Sequence, residues 1–373
     1  MKIRNATFIR GLTFVLAVLV LGNQKTWPIQ QEQETARVIS VDSDQTLADA
    51  LTQLQDGDTL QIMPGRYRGG WQVQGIANLT VEAAQATKPP IFEGGNLAWQ
   101  FSRCSHLTVR NLKAKGQRSN GFNIDDGGKR DQPVEGTTLE NLEVSEVGPQ
   151  GNHDGIKLSG LIQLKVLHCK ISGWGGQAID MVGCHQVAVE RCELIGKDGF
   201  SQNSGIQCKG GSSQVVISQC FFRNAGQRPI NAGGSTGLDY FRPVDARYEA
   251  KDITIQSCMF FGSPCACAFV GVDGAKFLGN RVNYPEKWIF RVLQESTDER
   301  FVPCRNILIT DNRFIFHRDV VSTAVNVGPG TLPDTLQFRG NHWYAEDRPA
   351  ASRLPLPVEE TDGQYGVDPR EVR

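Results

Sequence analysis

LKVLHCKI, at residues 164–171, recurs in outline as VAVERCEL (187–194), VVISQCFF (215–222), ITIQSCMF (253–260), AKFLGNRV (275–282), ILITDNRF (307–314) and LQFRGNHW (336–343). Each copy alternates apolar with polar residues at its start, the period of a strand with one buried face. The sixth position reads Cys169, Cys192, Cys220, Cys258, Asn280, Asn312 and Asn341, and two earlier copies place Leu112 and Leu142 there. Copies recur at roughly 22 to 38 residues, the spacing of a solenoid in which each unit supplies one coil. Successive strands then stack about 4.8 Å apart, like residue on like residue, and small or amide side chains suit such an inward corner. The expected fold is all-β, a single-stranded right-handed parallel β-helix of about ten coils.

The rest of the chain is consistent with this. A solenoid lengthens by adding coils, so 373 residues need no second domain, and 40 Gly suit many tight turns. A formal net charge of −1 argues against a nucleic-acid partner or an anionic membrane surface, both of which call for a basic excess. Lys2, Arg4 and Arg10 precede an apolar run from Leu12 to Leu21, short for a bilayer span, with Val20 and Gly22 placed for cleavage. Residues 1–22 therefore read as a signal peptide, or as an uncleaved anchor, on an exported protein (periplasmic, cell-surface or extracellular). No Cys follows the run to take a lipid. Residues 23–40 read as a linker, 41–345 as the solenoid, and the Pro- and acid-rich 346–373 as an irregular cap or tail. Leu47, Ala50, Leu51 and Leu54 lie at helical spacing before Gly57-Asp58 and a strand, which predicts a capping helix over the open first coil.

Ten Cys in an exported chain ordinarily suggest disulfides. Here four share the template column, and Cys104, Cys184 and Cys304 share a second column three residues before the template. Stacked side chains point the same way, so buried thiols acting as small apolar groups are the better reading. No compact Cys/His ligand set occurs, with Cys265 and Cys267 the one close pair, and no metal site is assigned.

A second strand column carries polar residues: GFNIDD (from Gly121), GIKLSG (Gly155), AIDMVG (Ala178), GIQCKG (Gly205) and PINAGG (Pro229). Phe122, Ile156, Ile179, Ile206 and Ile230 share an inward register. Asn123, Lys157, Asp180, Gln207 and Asn231 form an outward ladder, expected to face solvent, and Asp125, Ser159, Val182, Lys209 and Gly233 form another. His153-Asp154 and Gln227-Arg228 immediately precede two of these strands. Long connections at 125–136, 145–153 and 233–252 flank the same coils, and the last contains Tyr240, Arg242, Asp245 and Arg247. Long loops on a rigid rod are where function gathers. A cross-strand Lys157–Asp180 pair on a solvated face is the bland alternative.

Beyond residue 40 the chain resembles right-handed β-helix proteins of the pectin-lyase-like superfamily, including the opening segment Gln45–Tyr67. The stretch GIQCKGGSSQVVISQCFFRNAG resembles the lysine-bearing coil of chondroitin and alginate lyases, and Lys209 falls where their catalytic Lys occurs. Arg228 lies a few residues upstream of the position of their catalytic Arg. Ser204 and Gln207 stand where paired calcium-binding acids would be. GNHDGIKLSG is similar to the N-T-D-G motif of polygalacturonases, without the elements that follow it there. NHDGIKLSG, AIDMVGCH and GGSTGLDYFRP together resemble a further group of exported bacterial β-helix proteins.

Three functions follow as expectations. A polysaccharide lyase acting on uronates needs the carboxylate neutralised, a base for the C5 proton and an acid for the leaving oxygen. Arg228 or Arg242 would neutralise the carboxylate, Lys209 would be the base with its proton affinity lowered by Arg228, and Tyr240 or His153 the acid. Lys157, Gln207 and Asn231 would bind substrate, and Asp154 with Asp180 would hold any Ca²⁺. A glycoside hydrolase would use Asp154 and Asp180 as its carboxylate pair, about 5 to 9 Å apart. A monomeric glycan-binding or structural rod is the third, although the polar face lacks aromatics.

Overall fold

The computed structural model of the chain describes residues 37–371, so the expected targeting segment and nearly all of the linker lie outside the described residues. Three parallel sheets run along the solenoid, and most coils contribute one strand to each. The template sheet has 14 strands, from Val38–Val41 to Glu360–Thr361; a second has 12, from Arg66–Arg68 to Gln364–Tyr365; the polar sheet has 10, from Trp71–Gln74 to Val325–Val327. The chain is a right-handed parallel β-helix. Among the described residues no helix is long and apolar enough to cross a membrane.

The alignment of repeats is the physical register. Leu164 stacks on Val187, then Val215, Ile253, Ala275 and Ile307 in turn. All of these side chains are buried. Each coil thus covers the apolar row of its neighbour, and removal of apolar area from water holds the rod together at about 25 cal/mol per Å².

The sixth template position lies at a corner between sheets, and the residue before it is in the left-handed region in every copy: His168, Arg191, Gln219, Ser257, Gly279, Asp311 and Gly340. Five of the seven are not glycine, so each costs on the order of 1 kcal/mol of strain. The buried sixth side chain offsets this by satisfying the backbone exposed at the bend. Asn280 Oδ1 accepts from the Cys258 amide at 2.8 Å, Asn312 Oδ1 from the Asn280 amide at 2.8 Å, and Asn341 Oδ1 from the Asn312 amide at 3.0 Å. Their Nδ2 groups donate to Ile255, Phe277 and Ile309 carbonyls on the preceding coil. On lower coils sulfur does this more weakly, as when the Cys220 amide donates to Cys258 Sγ at 3.4 Å. All ten cysteines are free and buried.

Both ends are covered. The helix Asp44–Leu51 starts at Ser43 in a capping box with Thr46 and buries Leu47 and Ala50. At the other end the segment expected to be irregular adds a partial coil: Glu360–Thr361 and Gln364–Tyr365 pair with the preceding strands. Glu360 ends the amide ladder, accepting from Asn341 Nδ2 at 2.7 Å, Trp343 Nε1 at 2.7 Å and Tyr365 Oη at 2.5 Å.

Replacing Asn312 tests the ladder. Asn312→Ala leaves the Asn280 amide and the Phe277 carbonyl without partners, and is expected to lower unfolding free energy by about 2 kcal/mol or more. Asn312→Cys, the residue used lower in the column, should cost less. Equal urea midpoints for wild type and the Ala variant would show that the amides carry no stability.

Candidate functional site

On the polar sheet the inward register holds: Phe122 pairs with Ile156, then Ile179, Ile206 and Ile230. The outward ladder is in register too, with Asn123 opposite Lys157, Asp180, Gln207 and Asn231 in sequence. Its exposure differs from expectation. Asp180, Gln207 and Asn231 are buried, as is Asp154. They face outward, but long side chains and the connection at 233–252 cover them.

Four residues form an alternating chain along this face. Lys157 Nζ contacts both Asp154 Oδ2, at 3.1 Å, and Asp180 Oδ2, its register partner. Lys209 reaches back from the next coil to within 3.4 Å of Asp180 Oδ1 and donates to Gln207 Oε1 at 3.3 Å. Asp154 Oδ1 accepts from the Gln177 amide at 2.9 Å. Asp154 Oδ2 and Asp180 Oδ1 meet their lysines at ion-pair distance without hydrogen-bond geometry. The aspartates are 1% and 0% exposed, while the lysines keep 23% and 16% of their side-chain surface. The charges are fixed from below and the ammonium groups open outward.

Burial, and then the neighbouring Asp180 carboxylate, raise the Asp154 pKa above the ordinary range, against the opposing pull of Lys157 and the Gln177 amide. Burial alone would lower Lys157, but Asp180 and Asp154 outweigh it and leave its pKa raised. This places the Lys157 ammonium where a cation between the two carboxylates would sit. The donor set therefore does not fit the Ca²⁺ considered above, and the described residues contain no cluster of three or more His, Cys, Asp or Glu able to hold a metal.

Over the lysines lies a cleft of about 520 Å³, lined by Asp125, Asn152, Ser159, Thr236 and Tyr240 as well as Lys157 and Lys209. All three long connections bound the coils beneath it. The connection at 233–252 is pinned at two points. Arg242 makes a bidentate pair with Asp126, Nε to Oδ2 at 2.5 Å and Nη2 to Oδ1 at 2.9 Å, and both side chains are buried. Gly160 and Gly183 seat this pair: each is left-handed, and a Cβ would approach Asp126 Oδ2 at 2.1 Å or Arg242 Cβ at 2.4 Å. The second pin is Glu249, fully buried, which accepts from the Gly210 and Thr236 amides and the Thr236 and Ser296 hydroxyls. Ser296 belongs to a fourth long connection, between the strands Phe290–Leu293 and Arg305–Thr310. Its Phe301 packs against Phe241 at 5.3 Å.

The expected site residues divide accordingly. Lys157, Lys209 and Tyr240 meet at the cleft, and Gln207 supports Lys209 while donating to the Gly233 carbonyl at 3.1 Å. Arg242 touches the cleft wall, but its guanidinium is taken by Asp126, so it is a strut rather than a carboxylate receptor. Arg228 turns to Glu295, at 3.7 Å, and to Asn231 Oδ1, at 3.5 Å; it faces the same side as Lys209 without contacting it. The charged neighbour of Lys209 is Asp180, so the expected influence of Arg228 on that amine has no contact to act through. His153 packs over Gly148, where an added Cβ would meet its own Cβ at 2.1 Å, and it does not line the cleft. Asp154 and Asp180 share one ammonium, at 3.1 Å from Asp154 and closer to Asp180, which holds their near oxygens within about 6 Å of each other, yet neither lines the cleft. Asp126, Glu249 and Asn152 were missed by sequence reasoning. The only signal was a long polar connection, because their partners are not periodic.

A sequence model described as the right handed beta helix region matches residues 100–282. No curated protein matches the chain. Among solved structures, the A-module of mannuronan C-5 epimerase AlgE6 from Azotobacter vinelandii superposes with a TM-score of 0.58 at 14% identity, over 86% of this chain and 93% of that one. PfbA, a surface adhesin of Streptococcus pneumoniae, gives 0.52 at 11%, over 82% and 92%. Pectate lyase Pel9A gives 0.50 at 10%, over 89% and 79%. Identities this low speak for the fold.

The strut has a direct test. Arg242→Ala should release the 233–252 connection to limited proteolysis, while the solenoid melts within a few degrees of wild type, because the break is confined to a surface element. Unchanged protease resistance would show that the Asp126 pair does not hold the connection.

Proposed function

We propose that this chain is an exported carbohydrate-active protein whose cleft binds a uronate-containing polysaccharide and cleaves it by β-elimination. One observation carries the reading: two lysine ammonium groups, propped on buried aspartates, open side by side into a walled cleft with an exposed tyrosine on its rim. Lys157, whose charge two carboxylates favour, neutralises the uronate carboxylate and so acidifies the C5 proton. Lys209, once it has given up its own proton to solvent, takes that proton. The C5–H electrons form the C4=C5 double bond, the C4–O bond breaks, and the Tyr240 hydroxyl protonates the departing oxygen. The structural neighbours named as a mannuronan epimerase and a pectate lyase use the same solenoid, which makes the reading compatible with the fold without deciding it. A hydrolase built on Asp154 and Asp180 is less well supported, since both carboxylates are committed to Lys157 beneath the cleft floor.

Incubation with pectate and alginate should yield unsaturated products absorbing in the ultraviolet together with new reducing ends. Lys209→Ala should lower turnover at least about a hundredfold with the melting temperature nearly unchanged. Reducing ends without absorbance would mean hydrolysis, and neither signal would remove the enzymatic reading.

Substrate binding should also depend on pH through Asp154. Folding raises this pKa, so the carboxyl takes up a proton at a pH where an ordinary aspartate is ionised. As pH falls through the raised value, the Asp154–Lys157–Asp180–Lys209 chain passes from formally neutral to net positive, and an acidic oligosaccharide should bind more tightly. The same shift subtracts stability as pH rises from the ordinary aspartate range through the raised value. Asp154→Asn should flatten the acid limb of KM, measured on short oligouronates. A limb that persists unchanged would assign it to another group.

A further inference from the structure

We propose that the second sheet carries a separate, non-catalytic track for an acidic polysaccharide. The inference rests on the reading of the ligand as a uronate polymer. A groove of about 570 Å³ lies on the outer face of this sheet, lined by Met259, Phe261, Arg281, Asn283 and Arg313 and walled by Pro369 and Arg370 of the C-terminal segment. Arg281 and Arg313 are register partners on adjacent coils, and Met259 and Phe221 continue the same row. Phe221 and Phe261 lie with ring centroids 5.7 Å apart, and Arg223 covers Phe221 at 5.3 Å.

Charge selects the occupant. Arg370 is held by Asp368 and Glu346, but among the described residues Arg223, Arg281 and Arg313 form no ion pair; Arg313 donates only to the Pro369 carbonyl, at 3.3 Å. Unpaired guanidinium groups interleaved with half-buried aromatic rings suit a ligand with carboxylates on an apolar-faced ring. Guanidinium groups on adjacent rungs repeat at about 4.8 Å, close to the length of one sugar ring along a glycan, so the pair can meet carboxylates along one short stretch of an acidic chain. The net charge of −1 makes this a local feature, unlike the broad basic surface that binds nucleic acid. Anchoring the polymer here, away from the cleft on the polar sheet, keeps the protein on its substrate between cleavage events.

The double variant Arg281→Ala/Arg313→Ala tests this on immobilised pectate and alginate. Affinity for the polymer should fall roughly tenfold or more, with elution at lower salt. Cleavage of short oligouronates and the melting temperature should stay at wild-type values. Wild-type retention by the variant would overturn the track and leave the lyase reading standing. Arginine-dependent retention without unsaturated product would do the reverse. Equal arginine-dependent retention on single-stranded DNA of matched charge would overturn sugar recognition.

Discussion

Hydrogen bonding between successive coils sets every other feature of this protein. Each strand pairs in parallel with the strand one coil away, so a residue's neighbours above and below are its own counterparts. Interior side chains must therefore fit against their counterparts one coil away. Aliphatic rows satisfy this by burial, and the Asn280–Asn312–Asn341 column satisfies it by hydrogen bonding amide to amide. The left-handed corners before Asn280, Asn312 and Asn341 each carry a buried side chain that hydrogen-bonds the backbone at the bend. The solenoid must also be closed where stacking stops, which is the work of Leu47 at one end and Glu360 at the other.

The same constraint shapes the outer face. Like charges directly stacked at this spacing repel, so a charged ladder that is to be buried alternates. The polar sheet does so with Asp154, Lys157, Asp180 and Lys209, and because the aspartates are buried the alternation is more than a surface pattern. A buried ion pair gains its attraction only against a large desolvation cost, which makes such a chain weak evidence for stability. Its clearer consequence is geometric. Two lysine side chains are held in fixed positions at the floor of a cleft, without the ordering that flexible lysines would require.

The walls of that cleft come from outside the repeat. Arg242 reaches Asp126 across 116 residues of sequence, and Glu249 joins two connections that belong to different coils. Gly160 and Gly183 contribute by lacking side chains, since a Cβ at either would occupy the volume of the Asp126–Arg242 pair. A periodic rod thus acquires a specific concavity through a few aperiodic contacts. Variation in the connections can alter the cleft while the stacked core stays as it is.

The amino-acid sequence by itself determined the strand period, the register of both strand columns and the burial of the cysteines. In a parallel solenoid, aligning repeats on paper is the same operation as stacking them in space. Lys157 opposite Asp180, and Leu164 over Val187, could be read off directly for that reason. Tertiary structure alone decided which outward residues are covered, that Arg242 is a strut, that Arg228 turns to Glu295, and that His153 packs away from the cleft. Those outcomes depend on where long connections fold back over the rod. Such contacts join residues with no periodic relation, and a pattern that repeats along the chain carries no information about them.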